Sequence, residues 1–120
     1  MNYFIIIGAG SSVKNFVSYS NLLLNKNVIC INYSFLHFPH TFMTYVDKDF
    51  YLGIYGHPDI SKELEKEPLI LGLDIDIKYP IFKHNTILLK GSKEFNLNPR
   101  NGFYNPILCG LWTLHIAMWL

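Results

Sequence analysis

Charge of either sign is scarce in this sequence. Ten Lys and Arg stand against nine Asp and Glu in 120 residues, for a formal net charge of +1. No basic run stands out, so the electrostatic footprint of a nucleic-acid binder is missing. Cysteine is nearly absent. Cys30 and Cys109 sit far apart in apolar stretches without CxxC spacing, and the expectation is two buried free thiols in a reducing cytosol. No apolar run reaches the roughly 20 residues that a membrane span needs. The run 107–120 is shorter than that and contains His115, so it reads as a buried helix. The first residues, MNYFIIIGAG, lack a basic region and a small-residue cleavage site, and do not read as a signal peptide. These absences describe a cytoplasmic protein with neither nucleic acid nor membrane as partner.

What is present is core material. Half of the residues are hydrophobic and 16% are aromatic, enough to build one domain over 1–120 and to exclude disorder. Residues 3–7 form a continuous apolar, β-branched run, the mark of a strand buried on both faces. Gly8, Ala9, Gly10, Ser11 and Ser12 follow at once, and then a helical pattern over 13–25 with Val13, Phe16, Val17 and Leu22 to Leu24 as its apolar side. Strand, glycine turn and helix open a βαβ unit. A turn at 25–27 leads to a second strand at 28–31, parallel to the first. An irregular aromatic stretch (34–39) precedes a third strand at 41–46, which ends at Asp47-Lys48-Asp49. Residues 53–58 read as a loop and 59–66 as a short charged helix with Asp59 as N-cap. Strands are expected at 69–73 and 86–89, with a half-exposed alternation at 74–77. Residues 90–105 read as a loop, and 106–120 as a helix opened by Pro106. That apolar helix ends without glycine or a cationic last turn, so the expectation is a sheet cut short at its C-terminal side. The fold class is α/β: a Rossmann-like three-layer sandwich with a mainly parallel sheet.

The residues that carry chemistry lie where strands end. Glycines at 8 and 10 allow backbone N–H groups at a helix start to approach phosphate. The full GxGxxG fingerprint is not met, because Val13 follows. The acidic ribose residue of dinucleotide enzymes is replaced by Asn32, which disfavours a classical NAD site. Asn32 closes the second strand and Asp47 the third, at the carboxyl edge where open α/β sheets bind ligands. Asn32 suits a base or ribose; Asp47 suits a ribose hydroxyl or a metal-bound phosphate. His37, His40, His57, His84 and His115 show no metal spacing, since Pro39 breaks the His37/His40 pair, and His115 reads as a core histidine. No nucleophile elbow can be assembled. Asp74 and Asp76 read as solvated, and Tyr33, Phe35, Phe38, Phe42 and Tyr45 as packing.

The runs IIIGAGSSVKNF, VICINYSF and TYVDKDFY together resemble the opening of two related groups. These are the bacterial lipooligosaccharide sialyltransferases and the MptE-like group, with its hydroxymethylpterin pyrophosphokinases and phage-encoded members. The shared pattern falls on Gly8, Gly10, Ser12, Asn32 and Asp47. LCGLWTLHIAMWL is similar to their helix opening in Ser/Thr-Gly, with Cys109 at the hydroxyl position and Gly110 on the glycine. Ala9 stands where those groups often carry Asn. The resemblance implies a nucleotide or nucleotide-sugar ligand held by the 8–12 turn, Asn32, Asp47, Cys109 and Gly110. It also implies transferase chemistry, with magnesium in an ATP-dependent variant. The family's acidic motif and catalytic histidine follow the helix and lie beyond Leu120, so this stretch alone is expected to be inactive. The alternative is a non-catalytic binding or assembly module, phage-derived in origin.

Overall fold

A computed structural model describes residues 3–74, 82, 84–96, 98–104 and 109–120, excepting the side chains of residues 48, 51, 55 and 109. Among the described residues six strands form one sheet: β1 (Ile5–Ile7), β2 (Val28–Ile31), β3 (Phe42–Tyr45), β4 (Ile70–Asp74), β5 (Thr86–Ser92) and β6 (Phe103–Tyr104). Every neighbouring pair is parallel. The architecture is α/β with a parallel sheet, Rossmann-like in its layers. The strands stand in chain order, β1-β2-β3-β4-β5-β6. Without a reversal of order, no crevice of the doubly wound kind opens between diverging crossovers.

Strand alternation sorts the core into two layers. Val28 and Cys30 of β2, Met43 and Tyr45 of β3 and Ile70 of β4 face one side. There they meet Phe50 and Ile54 of α1 (Lys48–Tyr55) and Ile60 and Leu64 of α2 (Pro58–Glu65). Ile29, Phe42, Leu71 and Leu73 face the other side and meet Trp112 and Ile116 of α3 (Cys109–Ala117). Because α3 touches β1 and β2 as well as β6, the sheet curls around it. A buried hydroxyl pair, Thr44 Oγ1 to Thr113 Oγ1 at 2.8 Å, pins α3 to the middle of the sheet.

The segment after β1 departs from the expected α-helix. Ser11–Leu23 is a 3-10 helix, far longer than the usual three or four residues, and none of its residues is fully buried. At three residues per turn, Val13, Phe16, Tyr19 and Leu22 fall in one row and Val17 and Leu23 in the next; of these, Val13, Val17 and Leu23 pack on the core. Asn25 (φ 63°) makes the expected turn into β2, in the left-handed region that asparagine tolerates.

Three further readings need correction. Residues 53–55, expected as loop, belong to α1. The glycine that suggested a break is there for packing: a Cβ at Gly53 would lie 2.9 Å from the Tyr33 hydroxyl. The N-cap of α2 is His57, with Pro58 at the first helical position, so Asp59 sits inside the first turn. The stretch 90–105 is not all loop: β5 runs to Ser92, a 3-10 turn covers Pro99–Asn101, and β6 follows. The expected strand residues 75–77, Asp76 among them, and Pro106 lie outside the described residues.

Candidate functional site

The parallel register sets Ile31 beside Thr44, which brings the next polar residues of β2 and β3 to the same edge. Asn32 turns out of β2 with φ 51°, and asparagine is among the few residues that take up this conformation readily. Its Nδ2 donates to Asp47 Oδ2 at 3.2 Å. Asp47 is the N-cap residue of α1, but its side chain makes no capping bond there. The two residues line a cleft of 390 Å³ together with Tyr33, Asp49 and Phe50. The rings of Tyr33 and Phe50 meet edge to face at 4.8 Å, forming its aromatic wall. Asn32 Oδ1 is buried and finds no hydrogen-bond partner among the described residues, so there the amide is satisfied on one side only.

Among the described side chains that line the cleft are two carboxylates, Asp47 and Asp49. Such a surface accepts hydroxyl and amino donors and repels bare phosphate. The two carboxylates favour a phosphate ligand that lays its anionic end elsewhere or brings a divalent cation. Among the described residues no group of three or more His, Cys, Asp or Glu is placed to hold a metal.

The glycine turn lies at the end of the neighbouring strand. Ser34 Oγ shares its proton between the carbonyls of Ile7 (3.0 Å) and Ile31 (2.9 Å), locking the exits of β1 and β2 together. Neither Gly8 nor Gly10 has positive φ. A Cβ at Gly8 would meet nothing within 4 Å, and one at Gly10 only Ser12 Oγ at 3.9 Å. Internal packing does not call for glycine here; the open space above the backbone is what the residue type leaves free. Gly10 is the N-cap of the 3-10 helix without a side-chain cap, and Ala9, Ser11 and Ser12 are exposed. The first N–H groups of any helix lack intrahelical partners.

Sequence reasoning thus named Asn32 and Asp47, and the structure joins them directly. Gly8 lines a different hollow, an apolar groove of 380 Å³ with Ile6, Val13, Phe16, Tyr19 and Leu22 among its walls. Gly110 is exposed at the start of α3 and lines neither hollow. The Cys109 side chain lies outside the described residues. Cys30 is a buried free thiol, as expected. His115 is buried as expected, accepting the Tyr104 N–H at Nδ1 (2.7 Å) between Phe95 and Phe103. Tyr33, Asp49 and Phe50 entered the cleft unannounced: Tyr33 had read as packing, and the helix carrying the other two was not expected.

The fold and the cleft at its carboxyl edge define an α/β protein with a parallel sheet and a polar, acid-lined hollow. Comparisons with protein-family models, with curated proteins and with solved structures give no match. No helix among the described residues is long and apolar enough to cross a membrane.

Proposed function

We propose that the chain is a nucleotide- or nucleotide-sugar-binding domain of transferase type, with its ligand at the carboxyl edge of β1 to β3. The observation that carries this reading is the Asn32–Asp47 bond across two strand ends, inside a hollow with an aromatic wall. Asp47 takes hydroxyl donors of a ribose or sugar, and Asn32 positions it. The anionic end lies away from the carboxylates, over the open backbone from Gly8 to Ser12, where N–H groups at the helix start face it. The resemblance noted above also assigns Cys109 and Gly110 to the phosphate side, although Gly110 lines neither hollow. An ATP-dependent variant brings magnesium to offset the acidic cleft; a CMP-sugar variant does without it. A cytoplasmic setting belongs to the same proposal, in keeping with the free thiol of Cys30.

The two carboxylates lining the cleft favour a second reading, a non-catalytic binding module that keeps the fold and takes uncharged polar ligands. Calorimetric titration separates the two. CMP, a CMP-sugar or magnesium ATP binds under the first reading, and Asp47→Ala weakens that binding at least tenfold, about 1.4 kcal/mol. Asp47→Ala also removes the bond from Asn32, so the melting temperature of the unliganded variant is measured alongside to show that it is folded at the titration temperature. Absence of heat with all three nucleotides, from protein that melts cooperatively, rejects the first reading.

A further inference from the structure

We propose that Gly53 is a positioning residue for the cleft: it sets the aromatic wall by leaving room for Tyr33, and a side chain at this position weakens ligand binding while the fold is kept. Gly53 is not among the residues that line the cleft. Phe50 and Gly53 stand three residues apart in α1 and so share one face of that helix. The Tyr33 ring lies along this face. It meets Phe50 edge to face at 4.8 Å, and its hydroxyl reaches over Gly53, where a Cβ would stand 2.9 Å from it. Apart from the helix's own neighbouring residues, no other described atom lies within 4 Å of that Cβ. The contact is therefore specific to the Tyr33 hydroxyl.

The base of the ring has little freedom to give way. On one side of Tyr33, Asn32 holds a left-handed conformation (φ 51°) and its amide donates to Asp47 Oδ2 at 3.2 Å. On the other side, the buried Ser34 bonds the carbonyls of Ile7 and Ile31. Phe50, only 3% exposed, blocks a slide along α1. A methyl group at position 53 requires the hydroxyl to withdraw by about 0.5 Å, from 2.9 Å to ordinary contact at 3.4 Å. With its backbone held, Tyr33 can do so only through its side-chain torsions, and the face it presents to the cleft turns with the tip. A gap of roughly 0.5–1 Å forfeits about a quarter to a half of the attraction at each contact, so a ligand ring seated on this wall is held less well.

The effect on folding runs the other way. Alanine is a better residue than glycine inside a helix, which offsets the cost of moving one hydroxyl. The substitution thus acts on the ligand through Tyr33 rather than on the stability of α1. Its consequence for binding rests on the nucleotide reading of the cleft; its consequence for the ring rests on the contacts alone.

A double-mutant cycle over Gly53→Ala and Tyr33→Phe tests the proposal. Affinity is read by calorimetric titration with CMP, a CMP-sugar and magnesium ATP, and the ring by the aromatic proton NMR signals of residues 33 and 50 without ligand. Gly53→Ala is expected to weaken binding about threefold or more, to leave the melting temperature unchanged or higher, and to move the signals of both rings. In the Tyr33→Phe background the atom that meets the new Cβ is gone, and the same substitution is expected to change neither affinity nor ring signals. Equal losses in both backgrounds overturn the proposal. So does an unchanged affinity, or ring signals that stay in place, when Tyr33 is present. If the unsubstituted chain binds none of the three nucleotides, the nucleotide reading fails, and the ring signals by themselves decide for or against Gly53.

Discussion

Replacing Gly72 by alanine is expected to destabilise the protein by about 3 kcal/mol, at the upper end of the usual cost of overpacking. Gly72 lies in the middle of β4, paired with Tyr45 on one side and Leu88 on the other. A Cβ there would fall 2.4 to 2.5 Å from the Cζ, Cε1 and hydroxyl atoms of Tyr45. The ring has no room to yield, since it is buried and packs against Phe50 at 5.7 Å. The glycine is thus the counterpart of an aromatic ring laid across the neighbouring strand. Urea denaturation checks the size of the loss. Tyr45→Leu in the same chain, which removes the ring, is expected to recover a substantial part of it. If Gly72→Ala melts like the unsubstituted protein, the position of the Tyr45 ring is wrong.

The second large effect concerns His40 and Glu67, which tie the β2–β3 connection to the chain between α2 and β4. His40 Nε2 donates to Glu67 Oε2 at 2.6 Å and Nδ1 donates to the Phe38 carbonyl at 2.7 Å, so both ring nitrogens carry protons. The two side chains are only 11% and 10% exposed. Burial by itself lowers the pKa of His40. Its hydrogen bonds with the Cys30 thiol, the Glu67 carboxylate and the Phe38 carbonyl, together with the Glu67 charge, outweigh burial and raise it from 6.5 to about 10. The folded state therefore holds the proton more tightly than the unfolded chain does. The resulting stabilisation is complete below pH 6.5 and is lost as pH rises from 6.5 through about 10. Glu67→Gln, which keeps an acceptor for Nε2 and removes the charge facing it, is expected to cost about 1 to 2 kcal/mol at pH 6, the difference between a hydrogen bond to a charged and to a neutral group. Between pH 6.5 and 9.5 the gap between the two proteins should narrow steadily. Parallel stability curves over that range would mean that His40 does not hold its proton in the native state.

Much of the sheet was legible because its strands are short, continuous, β-branched runs buried on both faces. Val28 to Ile31 shows this most clearly, whereas Ile5 to Ile7, expected to be buried on both faces, is a half-buried strand at the end of the order; the parallel pairing of the two follows from the helical stretch between them. The helix α1 was hidden by Gly53, whose reason is the Tyr33 hydroxyl from another part of the chain; a glycine favoured by a distant contact looks the same in sequence as one that marks a loop. The 3-10 winding of Ser11–Leu23 was equally hidden, since Phe16 and Tyr19 suit either period until packing shows which face is turned to the core. β6 is two residues long and leaves no periodicity to read. At the site, Asn32 and Asp47 were legible as polar residues at strand exits. Their bond depends on the register of β2 against β3, and no local signal encodes that. Asp49 and Phe50 became visible only with the helix that carries them. His40 and Glu67 are 27 residues apart, and nothing at either position announces the other.

The central claim, a nucleotide at the carboxyl edge of β1 to β3, is tested most directly by following individual amide signals. Uniformly ¹⁵N-labelled chain would be titrated separately with CMP, with a CMP-sugar and with magnesium ATP. The account predicts that one of them moves the Asn32 side-chain amide together with the backbone amides of Gly8, Gly10, Ser11 and Ser12, and leaves those of β5 and β6 in place. Shifts confined to other surfaces, or no shifts at millimolar nucleotide from a well-dispersed spectrum, would contradict it.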